Sequence, residues 1–256
     1  MIKLGILGVG DLTEKIVRGL LRAAHAPEIL LSPRSHDKAQ ALARKCSCRL
    51  MPDNQTVVDH ADIVLVGVRP AQLAELAQEL VLKPKQKLIS VVGGVSVDEL
   101  KRLFGTTECV RAMLSYAAEI NRSTVAIYPD EADARALLGP LGNLIALASE
   151  TQFELATVGA CMNGWFYFLL HDLQHWLVEK GLPADSARAL VLSSVEDCAA
   201  YSRHRGASSM QDLGRSIATQ GTFTAQGLEM LGLHQTNAAW NAACEVVFDA
   251  LIAGVE

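Results

Sequence analysis

The chain has 256 residues, of which half are apolar and 20% are charged, and its formal net charge is −5. This composition is that of an ordinary globular protein and excludes disordered, collagen-like and coiled-coil chains. An acidic chain lacks the positive surface that binds a phosphate backbone, so we expect no nucleic-acid partner. No stretch reaches the length of about 18 apolar residues that a membrane span needs, so we expect no membrane partner and a cytoplasmic location.

Short apolar runs alternate with helical patterns along the first 150 residues, which is typical of a parallel β-sheet covered by helices. The predicted strands are residues 3–7, 28–31, 48–50, 62–68, 87–91, 109–113, 124–128 and 144–147. The predicted helices are residues 12–24, 35–45, 71–81, 97–104 and 130–138. From about residue 154 the pattern is helical, with breaks at 180–183, 204–206, 221 and 231–232. We therefore predict two domains, an α/β domain over 1–150 and an all-α domain over 151–256.

The segment from Val158 to Val178 is apolar on most sides rather than along a single stripe. A helix of this kind must be covered from several directions. A helical domain of roughly 100 residues can hardly enclose such a helix by itself. The sequence therefore predicts a homodimer or a higher oligomer that is built on the helical half.

Six cysteines are scattered through the chain, mostly in apolar surroundings. We interpret them as reduced and buried, because a chain of this size does not need disulfides to be stable. The pair Cys46 and Cys48 lacks a second Cys or His pair at the spacing of a zinc site, so we predict no metal.

A glycine-rich motif, Gly8-Val9-Gly10-Asp11-Leu12-Thr13, follows the first predicted strand and opens the first predicted helix. It is a G-x-G-x-x-T version of the dinucleotide fingerprint, in which Gly8 permits the tight turn and Gly10 lets the backbone approach the pyrophosphate. The third position is normally Gly or Ala, and Thr13 is a larger occupant. The helix N-terminus presents amide groups to phosphates. The motif predicts a Rossmann-type dinucleotide site.

The end of the second predicted strand indicates which dinucleotide binds. An NAD enzyme usually has Asp or Glu there, but this chain has Leu31-Ser32-Pro33-Arg34-Ser35. We expect Arg34 to pair with a 2′-phosphate while Ser32 and Ser35 donate hydroxyl hydrogen bonds. One or two such bonds would favour NADPH over NADH by roughly tenfold to several hundredfold. A solvated loop arginine is the alternative.

Two further segments end at the carboxyl edge of the predicted sheet, where open α/β sheets bind ligands. One is Val68-Arg69-Pro70, and the other contains Gly93 and Gly94. We expect both segments to flank the nicotinamide ribose, although either is also compatible with a simple turn.

These segments together resemble the pyrroline-5-carboxylate reductase family along nearly the whole chain. Gly5–Gly10 is similar to the opening of that family, Ser32–Ser35 to its Ser-Asn-Arg-Ser stretch and Val68–Gln72 to its Val-Lys-Pro-Gln stretch. Glu179–Pro183 and Gly227–Leu231 resemble landmarks of its helical half. The resemblance implies NAD(P)H-dependent reduction of a cyclic imine and an intertwined dimer of C-terminal helices.

The departures from the family pattern lie on the substrate side. Met113–Ala118 replaces Met-Pro-Asn-Thr-Pro-Ala, and Gly159–Gly164 replaces Ser-Gly-Ser-Gly-Pro-Ala. Thr219–Thr224 replaces Ser-Pro-Gly-Gly-Thr-Thr, and Thr224 falls on the last Thr, whose hydroxyl the family associates with the imine nitrogen. Rigid turns are thus exchanged for bulky side chains such as Tyr116, which favours a substrate of altered shape.

Reduction of a C=N bond requires a group that keeps the nitrogen protonated or polarised. Thr224 is the first candidate, with a helix cap as its alternative role, and Tyr116 is a second candidate proton donor. Two other functions stay open: a carbonyl-reducing dehydrogenase of the same two-domain plan, and a non-catalytic NADPH-binding sensor or partner protein.

Overall fold

A computed structural model describes residues 1–34, 36–106 and 108–253. Its eight-stranded sheet confirms the predicted α/β fold, and each strand overlaps a predicted one. The strands are β1 (Lys3–Leu7), β2 (Glu28–Leu31), β3 (Arg49–Leu50), β4 (Ile63–Val66), β5 (Lys87–Ser90), β6 (Cys109–Leu114), β7 (Ser123–Tyr128) and β8 (Gly142–Ala146).

The helices follow the predicted pattern with local differences. They are α1 (Asp11–Leu20), α2 (His36–Cys46), α3 (Asn54–His60), α4 (Leu73–Gln78), α5 (Val97–Phe104), α6 (Ala132–Leu138), α7 (Glu150–Glu179), α8 (Ala184–Arg205), α9 (Met210–Ile217), α10 (Phe223–Leu233) and α11 (Thr236–Ala253). The short helix α3 was not predicted, and Asp53 caps it by accepting a hydrogen bond from the Thr56 amide. The break predicted at 231–232 lies slightly later in the structure, because α10 continues to Leu233 and α11 begins at Thr236.

The strand order is β3-β2-β1-β4-β5-β6-β7-β8, and every pairing is parallel except that of β6 with β7. The prediction of a parallel sheet was therefore wrong for one pairing, that of β6 with β7. The segment 115–122 between these strands holds only a 3₁₀ helix, Tyr116–Ile120. A parallel crossover needs about a dozen residues or more, so this short connection returns the chain antiparallel.

Consecutive residues of the central strands enter two separate hydrophobic cores, one on each face of the sheet. In β4, Ile63 and Leu65 pack with α1 and α2, whereas Val64 and Val66 pack with α3, α4 and α5. Side chains of a strand alternate between faces, so a strand covered on both faces is apolar throughout. The sheet is accordingly the rigid middle layer on which the loops at its edge are mounted.

The chain divides into two compact units, residues 1–160 with the described residues from 247 onward, and residues 161–246. In the second unit, helices α7 and α11 meet through aromatic contacts, with ring centroids 6.1 Å apart for Trp165 and Trp240 and 5.6 Å for Phe166 and Trp240. Large apolar side chains of α7 remain uncovered, including Phe168 at 74% and Trp176 at 56% exposure. None of the helices in the described ranges combines the length and hydropathy that crossing a bilayer requires.

The cysteines are free thiols, but not all of them are buried. Burial raises the pKa of Cys48 to about 12 and that of Cys109 to about 11, so both thiols are held in the neutral form. The prediction of burial was wrong for Cys198, which is exposed on α8.

A buried ionic cluster joins the sheet to the first turns of α7. Arg111 of β6 is fully buried, and its Nη1 lies 2.9 Å from Oε1 of Glu150 and 2.5 Å from Oε1 of Glu154. Its guanidinium also stacks 4.4 Å from the ring centroid of Phe153. Glu150 additionally accepts a hydrogen bond from the Val97 amide, which begins α5. These contacts fix where α7 starts against the sheet.

Replacing Arg111 by Met should destabilise the protein by about 3–5 kcal/mol, because it leaves the buried Glu154 carboxylate without its partner. Urea unfolding measures this loss. The matched control is Arg102→Met, which breaks a largely exposed pair with Glu99 and should change stability far less. Equal losses for the two variants would contradict a structural role for the buried cluster.

Candidate functional site

The loops that follow β1, β2, β4, β5 and β6 emerge at one edge of the sheet, because these strands are parallel. They carry the glycine-rich motif, Arg34, the segment 67–70, the glycine pair 93–94 and Tyr116. The carboxyl edge of an open α/β sheet is where ligands bind, and the strand order reverses beside β1. The predicted cofactor residues are therefore brought to one edge of the first unit.

The turn after β1 requires glycine at its first position. Gly8 has a φ of +90°, and a Cβ there would lie 2.7 Å from Cγ1 of Val68. Gly10 caps α1 in an extended conformation, and no atom lies within 4 Å of the position where its Cβ would be. An α-helix leaves its first amide groups without acceptors inside the helix. Gly10 and Asp11, at the start of α1, line the cleft described below.

The hydroxyl of Thr13 fastens this turn. Its Oγ1 accepts a hydrogen bond from the Gly10 amide at 2.7 Å and donates to the Gly8 carbonyl at 2.9 Å. Space for the methyl group comes from Gly67, where a Cβ would lie 2.4 Å from Cγ2 of Thr13. The larger third residue of the fingerprint is thus accommodated by a glycine at the end of the neighbouring strand.

Ser32 is placed differently from the expectation. It is fully buried, and its Oγ accepts a hydrogen bond from the Gly8 amide at 3.0 Å. Ser32 was expected to offer an exposed hydroxyl, whereas in the structure it has no exposed surface and contacts the turn through the Gly8 amide. The predicted contact of Ser35 lies outside the residues that the structure describes.

A cleft of about 660 Å³ runs along this edge, within the range of small-molecule sites. Gly8, Gly10, Asp11, Arg34, Val68 and Arg69 are predicted residues that line it. The side chain of Leu12, by contrast, packs against the core of the sheet and does not line the cleft. Only its backbone amide belongs to the exposed N-terminus of α1.

Two charged pairs at the cleft were not predicted. Lys38 of α2 donates to Oδ1 of Asp11 at 2.5 Å. This hydrogen bond, together with the positive charge of Lys38, holds the pKa of the Asp11 carboxyl below its usual range. Arg34 lies 3.2 Å from Oε2 of Glu75 on α4. Both partners come from helices distant in sequence, and only the folded edge brings them to the motif.

Pro70, Gly93 and Gly94 lie at the same edge but outside the lining of the cleft. Pro70 opens a 3₁₀ turn that leads into α4, as expected for a proline at a helix start. No atom lies within 4 Å of a Cβ position at Gly93, and Gly94 has a φ of +68°. The backbone at Gly93 is therefore open beyond the end of β5, whereas a Cβ at Gly94 would lie 3.9 Å from Cδ2 of Leu251.

The two catalytic candidates lie in different compact units. Tyr116 begins the 3₁₀ helix after β6, which packs on α1, and its side chain is 49% exposed. Thr224 is an exposed residue in the first turn of α10. The helix cap is Thr222, whose hydroxyl accepts from the Ala225 amide at 3.1 Å, so the alternative role of Thr224 as a cap was wrong.

Comparison with known proteins gives matches along both halves of the chain. The model described as "NADP oxidoreductase coenzyme F420-dependent" matches residues 3–94, and the model of pyrroline-5-carboxylate reductase dimerisation matches residues 150–250. A pyrroline-5-carboxylate reductase of Haemophilus influenzae is 22% identical over 245 residues, which cover 91% of this chain and 90% of the relative.

Solved structures share the fold over its full length. A 1-pyrroline-5-carboxylate reductase from Streptococcus pyogenes has a TM-score of 0.87 at 24% identity and covers 98% of both chains. The Plasmodium falciparum pyrroline carboxylate reductase, solved with NADP bound, has a TM-score of 0.89 at 19% identity and covers 100% of this chain and 98% of its own. The solved structures show that this chain has the fold of those enzymes. The two matched models and the full-length relatives support a member of the pyrroline-5-carboxylate reductase family.

Proposed function

We propose that this protein is an NADPH-dependent reductase of a C=N bond in a cyclic imine, and that its substrate differs in shape from pyrroline-5-carboxylate. The observation that carries the proposal is the fastened glycine turn at the cleft, in a chain whose full-length relatives are pyrroline-5-carboxylate reductases. The altered substrate is supported by the bulky Tyr116 and Phe223, which are 49% and 90% exposed where the family pattern has small or rigid residues.

The residues at the cleft fit a dinucleotide. A Cβ would fill the turn at Gly8, whereas the space beside Gly10 is open for a pyrophosphate. The N-terminus of α1 offers amide groups and the positive end of the helix dipole. Arg34, beyond the end of β2, is suited to a 2′-phosphate, and Arg69 adds positive charge on the opposite side of the turn. We assign this binding to residues 1–150 and the substrate side to 151–256.

Bound NADPH supplies the hydride, so the task of the chain is to hold the acceptor and its proton. We assign to Thr224 a hydrogen bond from its hydroxyl to the imine nitrogen, which keeps that nitrogen polarised. The amides at the start of α10, beside Thr222, are suited to a substrate carboxylate. Tyr116 is the second donor candidate, with its phenol accessible at the sheet edge.

The helical half is proposed to form a homodimer. Large apolar side chains of α7 are uncovered in the single chain, and the dimerisation model of the family matches residues 150–250. Contiguous exposed apolar surface of this kind marks a protein interface. Phe168→Asp should therefore weaken self-association in sedimentation velocity, because Phe168 is 74% exposed.

The control for this variant is Val81→Asp, which changes a residue that is 75% exposed in the first unit and should leave the assembly unchanged. A wild-type chain that sediments as a monomer at every concentration would refute the dimer.

NADPH oxidation measured with a panel of imines and ketones tests the reaction. We expect turnover with cyclic imines and a higher kcat/KM for an imine larger than pyrroline-5-carboxylate. Thr224→Val should lower kcat on that substrate, whereas Thr222→Val, which removes the cap, serves as the control for helix stability. Turnover only with ketones would favour a carbonyl-reducing dehydrogenase, and tight NADPH binding without any turnover would favour a sensor.

Arg34→Ala should raise the KM for NADPH by about tenfold or more, since it removes a charged hydrogen bond to the 2′-phosphate. The KM for NADH should change little, because NADH carries a hydroxyl there. Arg49→Ala is a suitable control, as it removes another exposed arginine, paired with Glu28. Equal effects on the two cofactors would show that Arg34 does not contact the phosphate.

A further inference from the structure

Arg34 does not stand alone at the place proposed for the 2′-phosphate. Its Nη2 lies 3.2 Å from Oε2 of Glu75, which comes from the first turn of α4. The two side chains are 36% and 64% exposed, so both are accessible to a ligand. The cofactor cleft meets a second depression at this point, and Arg34 lines both of them.

The contact engages one terminal nitrogen of the guanidinium with one carboxylate oxygen. A phosphate is best held by two parallel N–H bonds from an arginine, and a carboxylate already at one nitrogen competes for that geometry. A phosphate monoester also carries about −1.5 to −2 charges at neutral pH, so the carboxylate repels it. A ribose 2′-hydroxyl, in contrast, can donate a hydrogen bond to a carboxylate.

The neighbouring carboxylates are engaged elsewhere. Asp53 caps α3 by accepting a hydrogen bond from the Thr56 amide at 2.6 Å. Glu79, one turn after Glu75, accepts from Nδ2 of Asn54 at 3.3 Å. Both side chains line the same depression, but neither is paired with Arg34 among the described contacts. Glu75 therefore differs from Asp53 and Glu79, which carry the same charge, in that it is paired with Arg34.

We propose that Glu75 is a specificity-determining residue that competes with the 2′-phosphate for Arg34 and so moderates the preference for NADPH over NADH. An NAD enzyme usually carries an acidic residue at the end of its second strand. In this chain Glu75, which lies on α4, takes that role. The inference rests on the proposed nucleotide site. It predicts a protein that retains measurable affinity for the non-phosphorylated cofactor.

Calorimetric titration of the full chain with adenosine 2′,5′-bisphosphate and with 5′-ADP measures the effect without any turnover. Glu75→Gln should bind the bisphosphate about three- to fivefold more tightly at low salt, the range expected for releasing an exposed ion pair. Its affinity for 5′-ADP should stay the same or fall. Glu79→Gln makes the same charge change at the C-cap of α4 and is the matched control, which should leave the ratio of the two affinities unchanged.

A second pair of variants tests whether the effect acts through Arg34. In an Arg34→Gln background, Glu75→Gln should change the affinity for the bisphosphate by less than about twofold. An unchanged affinity ratio in Glu75→Gln, or an equal change in Glu79→Gln, would overturn the role of Glu75 while leaving the nucleotide site intact. If the wild-type chain binds neither nucleotide, the nucleotide site itself fails and this inference fails with it.

Discussion

The hydrogen bonds of the Thr13 hydroxyl are the contacts on which the proposed nucleotide site depends. The hydroxyl joins the amide of Gly10 to the carbonyl of Gly8, while Ser32 holds the Gly8 amide from the end of β2. Gly67 at the end of β4 makes room for the Thr13 methyl group. Three adjacent strand ends and the start of α1 are therefore fixed around one turn, which positions the helix amides before any ligand arrives.

The charges at this edge are arranged in pairs rather than as a positive patch. The chain has a net charge of −5, and Asp11 and Glu75 lie beside Lys38 and Arg34. Exposed pairs of this kind contribute little to stability, so an anionic ligand can displace a carboxylate at small cost. Because each cation is already paired with a carboxylate, a simple anion gains little by binding to it. A dinucleotide is favoured because it also contacts the glycine turn and the amides at the start of α1.

The sequence was sufficient to predict what depends on local pattern. Alternating apolar runs predicted the strands, and the glycine motif predicted the turn from β1 into α1, which lies where it was expected. Contacts between distant segments could not be predicted from the sequence pattern. Glu75 is 41 residues from Arg34 in the chain and is paired with it only in the folded protein. Ser32 likewise accepts a hydrogen bond from the Gly8 amide, which local pattern does not indicate. The antiparallel β7 was missed because the short 115–122 connection, not the strand pattern, decides direction.

The affinity of Thr13 variants for NADPH shows whether the hydroxyl of Thr13 prepares the turn for the cofactor. Thr13→Ser keeps the hydroxyl that fastens the turn, whereas Thr13→Val keeps the shape and removes the hydroxyl. Losing this part-buried hydrogen bond leaves the Gly10 amide unpaired and costs on the order of 1 kcal/mol. We expect Thr13→Val to bind NADPH about tenfold more weakly and Thr13→Ser to bind it within about twofold of the wild type. Wild-type affinity in Thr13→Val would contradict this role of the hydroxyl.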